Sequence, residues 1–257
     1  MNIIKHIPNS ITCLNLLSGC AAIIADLVYA SPGWAVVFIA LAALFDLLDG
    51  MAARLLHASS AIGADLDSLA DVISFGLAPA VHVFAHFSLH TSVDLQGKDL
   101  GLFDIVAHPA IAVASASPAF LLAVFAAIRL AKFNNDKRQH SSFIGLPVPA
   151  NALFWIGFIA LDSNQYHITA FLPDLMPVFL YLLLILMSYL MVSKIPMFSF
   201  KVKHLRWKDN EYRYSLVIIS LLLIGILGIG GLSLAIICYI LLSLAYHKLS
   251  KKMSSNC

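Results

Sequence analysis

Asp46-Leu47-Leu48-Asp49-Gly50-Met51-Ala52-Ala53-Arg54 is followed, after eight residues, by Gly63-Ala64-Asp65-Leu66-Asp67-Ser68-Leu69-Ala70-Asp71. At about 100° per helical residue, Asp46 and Asp49 share one face, and Ala53 continues it one turn on. Asp67 and Asp71, four apart, share a face of the next helix. The short connection turns the chain, so the two helices are antiparallel neighbours and their four carboxylates can converge. Asp65 points away from that face and reads as a polar residue at a helix entrance.

Acids at positions 46, 49 and 71 are embedded in apolar sequence, which ordinary loop acids around a turn do not explain. An aspartate inside a spanning segment costs about 2.5–3.5 kcal/mol on insertion scales, so four cost on the order of 10 kcal/mol unless compensated. They also repel one another. Oxygen-only ligation of this kind suits hard cations such as magnesium, manganese or calcium. Two divalent ions would neutralise four carboxylates and could grip a pyrophosphate between them. Gly50 and Ala53 leave room beside the acids for a helix or a nucleotide, and Arg54 offers phosphate a fork of donors.

The elements that carry these residues belong in a bilayer. Of 257 residues, 60% are hydrophobic and 12% charged, with a mean hydropathy of +0.88, well outside the range of soluble domains. Runs of about 20 mostly apolar residues predict spans near 11–30, 34–53, 66–87, 108–131, 146–161, 175–193, 214–229 and 232–247. The fold class expected is all-α, a polytopic membrane bundle of about eight helices. Residues 1–193 form a six-helix catalytic core, 194–213 a basic loop suited to anionic headgroups, and 214–257 an additional helix pair with a basic tail. The first apolar run lacks a cleavage pattern and reads as a retained span. With the amino terminus inside, every one of the 16 lysines and arginines except Lys98 falls at the inner face, as cytoplasmic loops require. Both termini and the acids are therefore expected on the cytoplasmic side, a topology that fits a bacterial inner membrane. The four cysteines have no metal or disulfide spacing. His57, His82, His86 and His90 are not read as ligands, since the last three run toward the outer side, away from the acids.

The acidic segment matches D-x2-D-G-x2-A-R-x8-G-x3-D-x3-D without a gap, through Asp46, Asp49, Gly50, Ala53, Arg54, Gly63, Asp67 and Asp71. In this it resembles the CDP-alcohol phosphotransferase family. Ile7-Pro8-Asn9 with Thr12, Asn15 and Gly19, then Ser74-Phe75-Gly76-Leu77-Ala78-Pro79-Ala80, Arg129-Leu130-Ala131-Lys132-Phe133-Asn134 and Gly145-Leu146-Pro147-Val148-Pro149-Ala150 resemble its membrane-type phosphatidylserine synthases. That likeness runs from residue 7 to about 151. Lys132 departs from it, standing where the subfamily more often carries Arg; the charge is kept and the bidentate fork lost.

The resemblance implies that Asp46, Asp49, Asp67 and Asp71 hold two divalent cations, magnesium or manganese, with Asp71 also the base for the acceptor hydroxyl. It implies that Gly50, Ala53, Arg54 and Gly63 border the CDP moiety. Thr12 and Asn15 are open between a nucleotide contact and interhelical hydrogen bonding. The substrates implied are CDP-diacylglycerol and L-serine, giving phosphatidylserine and CMP. Arg129, Lys132 and Asn134, at the inner end of the fourth span, are candidates for holding the acceptor. Glycerol 3-phosphate or inositol as acceptor, and an ion transporter using buried acids, are the alternatives. Membrane lipids are expected partners and nucleic acid is not; a homodimer is compatible with the sequence but not required by it.

Overall fold

The computed structural model describes residues 6–58, 60–90, 117–135, 143–162, 176–197 and 210–254. The expected outer loop beyond residue 90 with Lys98, the first part of the fourth span, the inner-loop residues 136–142 and the centre of the basic loop, 198–209, lie outside these.

Helix α1 (Ile7–Leu27) and α2 (Pro32–Leu55) each begin with proline in the first turn, where its missing N–H and fixed φ suit a helix start. Helix α3 (Ala61–Asp71) is capped by Ser60, whose Oγ accepts from the Gly63 N–H at 3.0 Å. It runs without a break through a π-helical segment (Val72–Leu77) into α4 (Ala78–His90). A 3₁₀ turn (Ser117–Phe120) leads into α5 (Leu121–Asn135), followed by α6 (Val148–Leu161) and α7 (Met176–Val192). Helices α8 (Glu211–Leu227) and α9 (Gly231–Ser254) are joined by a single 3₁₀ turn at Gly228–Gly230. With α3 and α4 as one span, the described residues form eight apolar helical segments, each overlapping a predicted one. Five segments, counting α8 and α9 as one continuous stretch, are long and apolar enough to cross a membrane, and α6 and most of α7 are shorter apolar helices. The chain is a polytopic membrane helix bundle.

Helix α1 packs on α2 and along the whole α3–π–α4 span, α5 lies on the π segment and α7, and α9 lies along α6. The centre of the bundle is aromatic. Trp155 is fully buried, with Phe154 edge-on at 5.3 Å and Phe87 edge-on at 6.4 Å between centroids. Leu17, Leu182, Leu221 and Ile226 are exposed on outer faces, as lipid-facing positions require. The last helix is not peripheral: Gly157 of α6 brings the two backbones so close that a Cβ there would meet the Ser233 nitrogen at 2.5 Å.

The end of the bundle opposite the four acids holds two buried polar pairs. His82 Nδ1 lies 3.0 Å from both carboxylate oxygens of Asp26, at the end of α1, and His86 Nε2 lies 2.8 Å from Asp162, just past α6. All four residues are buried. These pairs tie α4 to α1 and α6.

Between α5 and α6 the chain is stitched to the end of α7. Strand β1 (Phe143–Ile144) pairs antiparallel with β2 (Pro196–Met197), the Gly145 N–H donates to the Ile195 carbonyl, and the Leu146 N–H donates to the Leu190 carbonyl. Gly145 has φ +79°, and a Cβ there would collide with the Met191 carbonyl oxygen. Gly145→Ala should therefore destabilise the bundle by about 1–3 kcal/mol. Thermal unfolding in detergent checks this, and a wild-type midpoint would refute it.

Candidate active site

Asp46 and Asp49 come from the last turns of α2, and Asp67 from the middle of α3. The connection between them includes a turn with His57 at φ +48°, and the two helices meet chiefly through α1, on which both pack, not by packing along one another. One carboxylate oxygen from each of Asp46, Asp49 and Asp67 lies within 4.8 Å of the others. Asp49 Oδ2 and Asp67 Oδ1 are buried with no hydrogen-bond partner. Buried carboxylate oxygens without donors are rare because their desolvation is uncompensated. A hard divalent cation is the group that fits three clustered carboxylates, two of them with such an oxygen.

Asp71, at the end of α3, is outside that group of three but feels the charges of Asp46, Asp67 and Asp49. Its Oδ1 accepts from Asn15 Nδ2 of α1 at 3.3 Å. Asp65 is exposed on the far face of α3, as its 200° offset from Asp67 demands.

A cavity of about 190 Å³ opens beside the acids, lined by Pro8, Asn9, Thr12, Asp49, Gly50, Ala53, Ala58, Ser60, Gly63, Ala64 and Asp67. Thr12, Gly50, Ala53 and Gly63 thus all face one cleft. A Cβ on Gly50 would meet only Arg54 Nη2, at 4.0 Å, so the helix surface there is open. The Thr12 hydroxyl donates to the Pro8 carbonyl at 3.1 Å and lines the cleft together with Asp49. Arg54 is exposed at the end of α2 and donates through Nε to the Gly50 carbonyl at 2.9 Å. Asn15 lines no part of the cavity and makes the interhelical hydrogen bond instead.

The three acceptor candidates occupy one end of α5 but differ in freedom. Arg129 is buried, donates through Nε to the Leu146 carbonyl at 2.8 Å and lies 5.7 Å from the centroid of the Phe133 ring. Tyr239 of α9 is close enough to interact with it electrostatically. Lys132 is exposed. Asn134 reaches α3 and donates to the Ser68 hydroxyl at 2.8 Å, which brings this end of α5 beside Asp67.

Sequence reasoning assigned no role to Ser60, which both caps α3 and lines the cleft. Its signal was available: a serine three residues before Gly63 at a helix start. Asp26 and Asp162 were also passed over, although each is an acid beside apolar sequence that must find a partner.

The sequence profile of CDP-alcohol phosphatidyltransferases matches residues 5–245. The chain belongs to the CDP-alcohol phosphatidyltransferase family. The match includes α8 and most of α9, where the sequence likeness had been hydropathy alone. Three relatives within the family carry the name CDP-diacylglycerol–serine O-phosphatidyltransferase. The one from Mycobacterium leprae is 34% identical over 165 residues, 62% of this chain and 48% of the relative. The Helicobacter pylori protein is 33% identical over 200 residues, 77% of this chain and 73% of its own length. The Bacillus subtilis protein is 32% identical over 200 residues, 78% of this chain and 93% of its own length. The chain thus spans about half the length of the mycobacterial relatives and nearly all of the Bacillus one.

Proposed function

We propose that this protein transfers the phosphatidyl group of CDP-diacylglycerol to the hydroxyl of L-serine, giving phosphatidylserine and CMP. The observation that carries the reading is the convergence of Asp46, Asp49 and Asp67, with two unpartnered buried oxygens, on a cleft bordered by glycine and alanine. Such a site suits a metal-bound pyrophosphate, and the names of the relatives supply the acceptor.

Two divalent cations of the magnesium or manganese kind, held by Asp46, Asp49, Asp67 and Asp71, would neutralise the pyrophosphate and the charge growing on the departing CMP. The chain's own residues do the rest. Thr12, Gly50, Ala53 and Gly63 border the CDP moiety, and Arg54 at the cleft rim offers donors to phosphate. Asp71 takes the proton of the serine hydroxyl as its oxygen attacks the phosphorus bearing diacylglycerol. The P–O bond to the CMP phosphate breaks, and its electron pair leaves with CMP. Serine's carboxylate needs a cation, and Lys132 is the accessible one, because Arg129 already serves the Leu146 carbonyl. The charge division of the loops supports a cytoplasmic active site and cytoplasmic termini.

Purified protein given CDP-diacylglycerol with serine, glycerol 3-phosphate or inositol in turn tests the reading by CMP release. Serine should be the productive acceptor, and membrane vesicles should use externally added serine only when inverted. Release with glycerol 3-phosphate alone would reassign the acceptor, because a cation suits that phosphate equally well. Lys132→Ala should raise KM for serine by about tenfold or more, since it removes a charge-assisted hydrogen bond, and leave KM for CDP-diacylglycerol nearly unchanged. An unaltered serine KM would remove Lys132 from the pocket.

A further inference from the structure

We infer that Asn15 is a positioning residue for Asp71, holding one carboxylate oxygen so that the other faces the acceptor hydroxyl. The inference rests on the functional reading above but on different atoms. Asn15 is fully buried, and its two ends grip the start of the π segment from one side. Its side-chain amide donates to Asp71 Oδ1 at 3.3 Å, while its backbone carbonyl accepts from the Ser74 hydroxyl at 3.0 Å. The helices approach closely enough for this because position 19 is glycine: a Cβ there would lie 2.7 Å from the Ser74 Cα.

Residues 71 and 74 flank the first part of the π segment (Val72–Leu77). A π turn carries one residue more than an α turn, and such turns recur at functional sites. Left to itself, the χ2 torsion of an aspartate is broad, and the plane of the Asp71 carboxylate would be set by whatever charge lay nearest. One N–H donor on Oδ1 fixes that plane. A neutral amide does so without cancelling the negative charge a base requires, as a lysine or arginine would. The amide orientation follows from the same logic, since a flipped Asn15 would set oxygen against carboxylate oxygen. Asn15 Oδ1 is left buried and unpartnered, so the residue is held there by its two bonds to the third span and not by its full complement of partners.

Asn15→Asp and Asn15→Ala separate this role from packing and from nucleotide binding. Both should lower kcat by about 10–100-fold, with KM for CDP-diacylglycerol within about threefold of wild type. Asn15→Asp should be at least as damaging as Asn15→Ala, because it keeps the shape and reverses the donor. Infrared difference spectra of wild type against Asn15→Ala should show a shifted carboxylate band that disappears when both carry Asp71→Asn. That readout needs no turnover. Near-normal kcat in Asn15→Asp, a raised KM for CDP-diacylglycerol at normal kcat, or a difference spectrum unaffected by Asp71→Asn would each overturn the inference. A wild-type protein inactive with every alcohol would defeat the functional reading instead, and the infrared comparison would still decide the coupling of Asn15 to Asp71.

Discussion

Asp71→Asn is expected to reduce turnover by about 10²–10⁴-fold, the span of a lost general base, while Asp65→Asn should be mild. The two side chains are six residues apart on one helix and differ in surroundings. Asp71 is buried, bonded to Asn15 and within the field of three other carboxylates, whereas Asp65 is exposed on the opposite face. Substitution by asparagine keeps size in both cases, so a difference reports chemistry and not packing. CMP release under saturating substrates is the measurement. Equal losses in the two variants would show that the faces of α3 have been misassigned.

Activity should fall to background in excess chelator and return with magnesium or manganese. Three carboxylate oxygens within 4.8 Å of one another, two of the carboxylates with an oxygen lacking any donor, are held together against their mutual repulsion, and oxygen ligands of this type favour hard divalent ions. Asp67→Asn should weaken that restoration, so that more metal is needed for half-maximal activity. Substantial turnover in excess EDTA, unimproved by added metal, would eliminate metal-assisted transfer.

Much of this arrangement was legible because helical periodicity and hydropathy are local. Spacing alone put Asp46 beside Asp49, turned Asp65 away and predicted all eight apolar segments, with ends shifted by a few residues where prolines or Ser60 set the actual starts. What escaped depends on how helices rotate against one another. The π segment after Asp71 has no hydrophobic period of its own to announce it. Thr12 and Asn15 stood equal before the fold was known; the rotation of α1 then put Thr12 on the cleft and Asn15 against Asp71. Strands β1 and β2, two residues each, are too short for any alternation to be read. Arg129 and Lys132 were both candidate cations for the acceptor, and the structure separates them: Arg129 is buried on the Leu146 carbonyl, 17 residues on, while Lys132 is exposed.

The two histidine–aspartate pairs at the far end of the bundle bear on how the protein is made. Asp26 precedes His82 by 56 residues, and His86 precedes Asp162 by 76. At about 5–20 residues per second of synthesis, α1 must wait roughly 3–11 s for its partner. During that interval Asp26, one residue from the end of α1, is without the imidazole that partners it in the finished bundle. The polar pairing of the first span is therefore completed only when the third arrives, and that of the third only when the chain just past the fifth has been made. A ribosome halted between α1 and α4 would leave a nascent chain whose Asp26 lacks the His82 ring that partners it in the finished bundle.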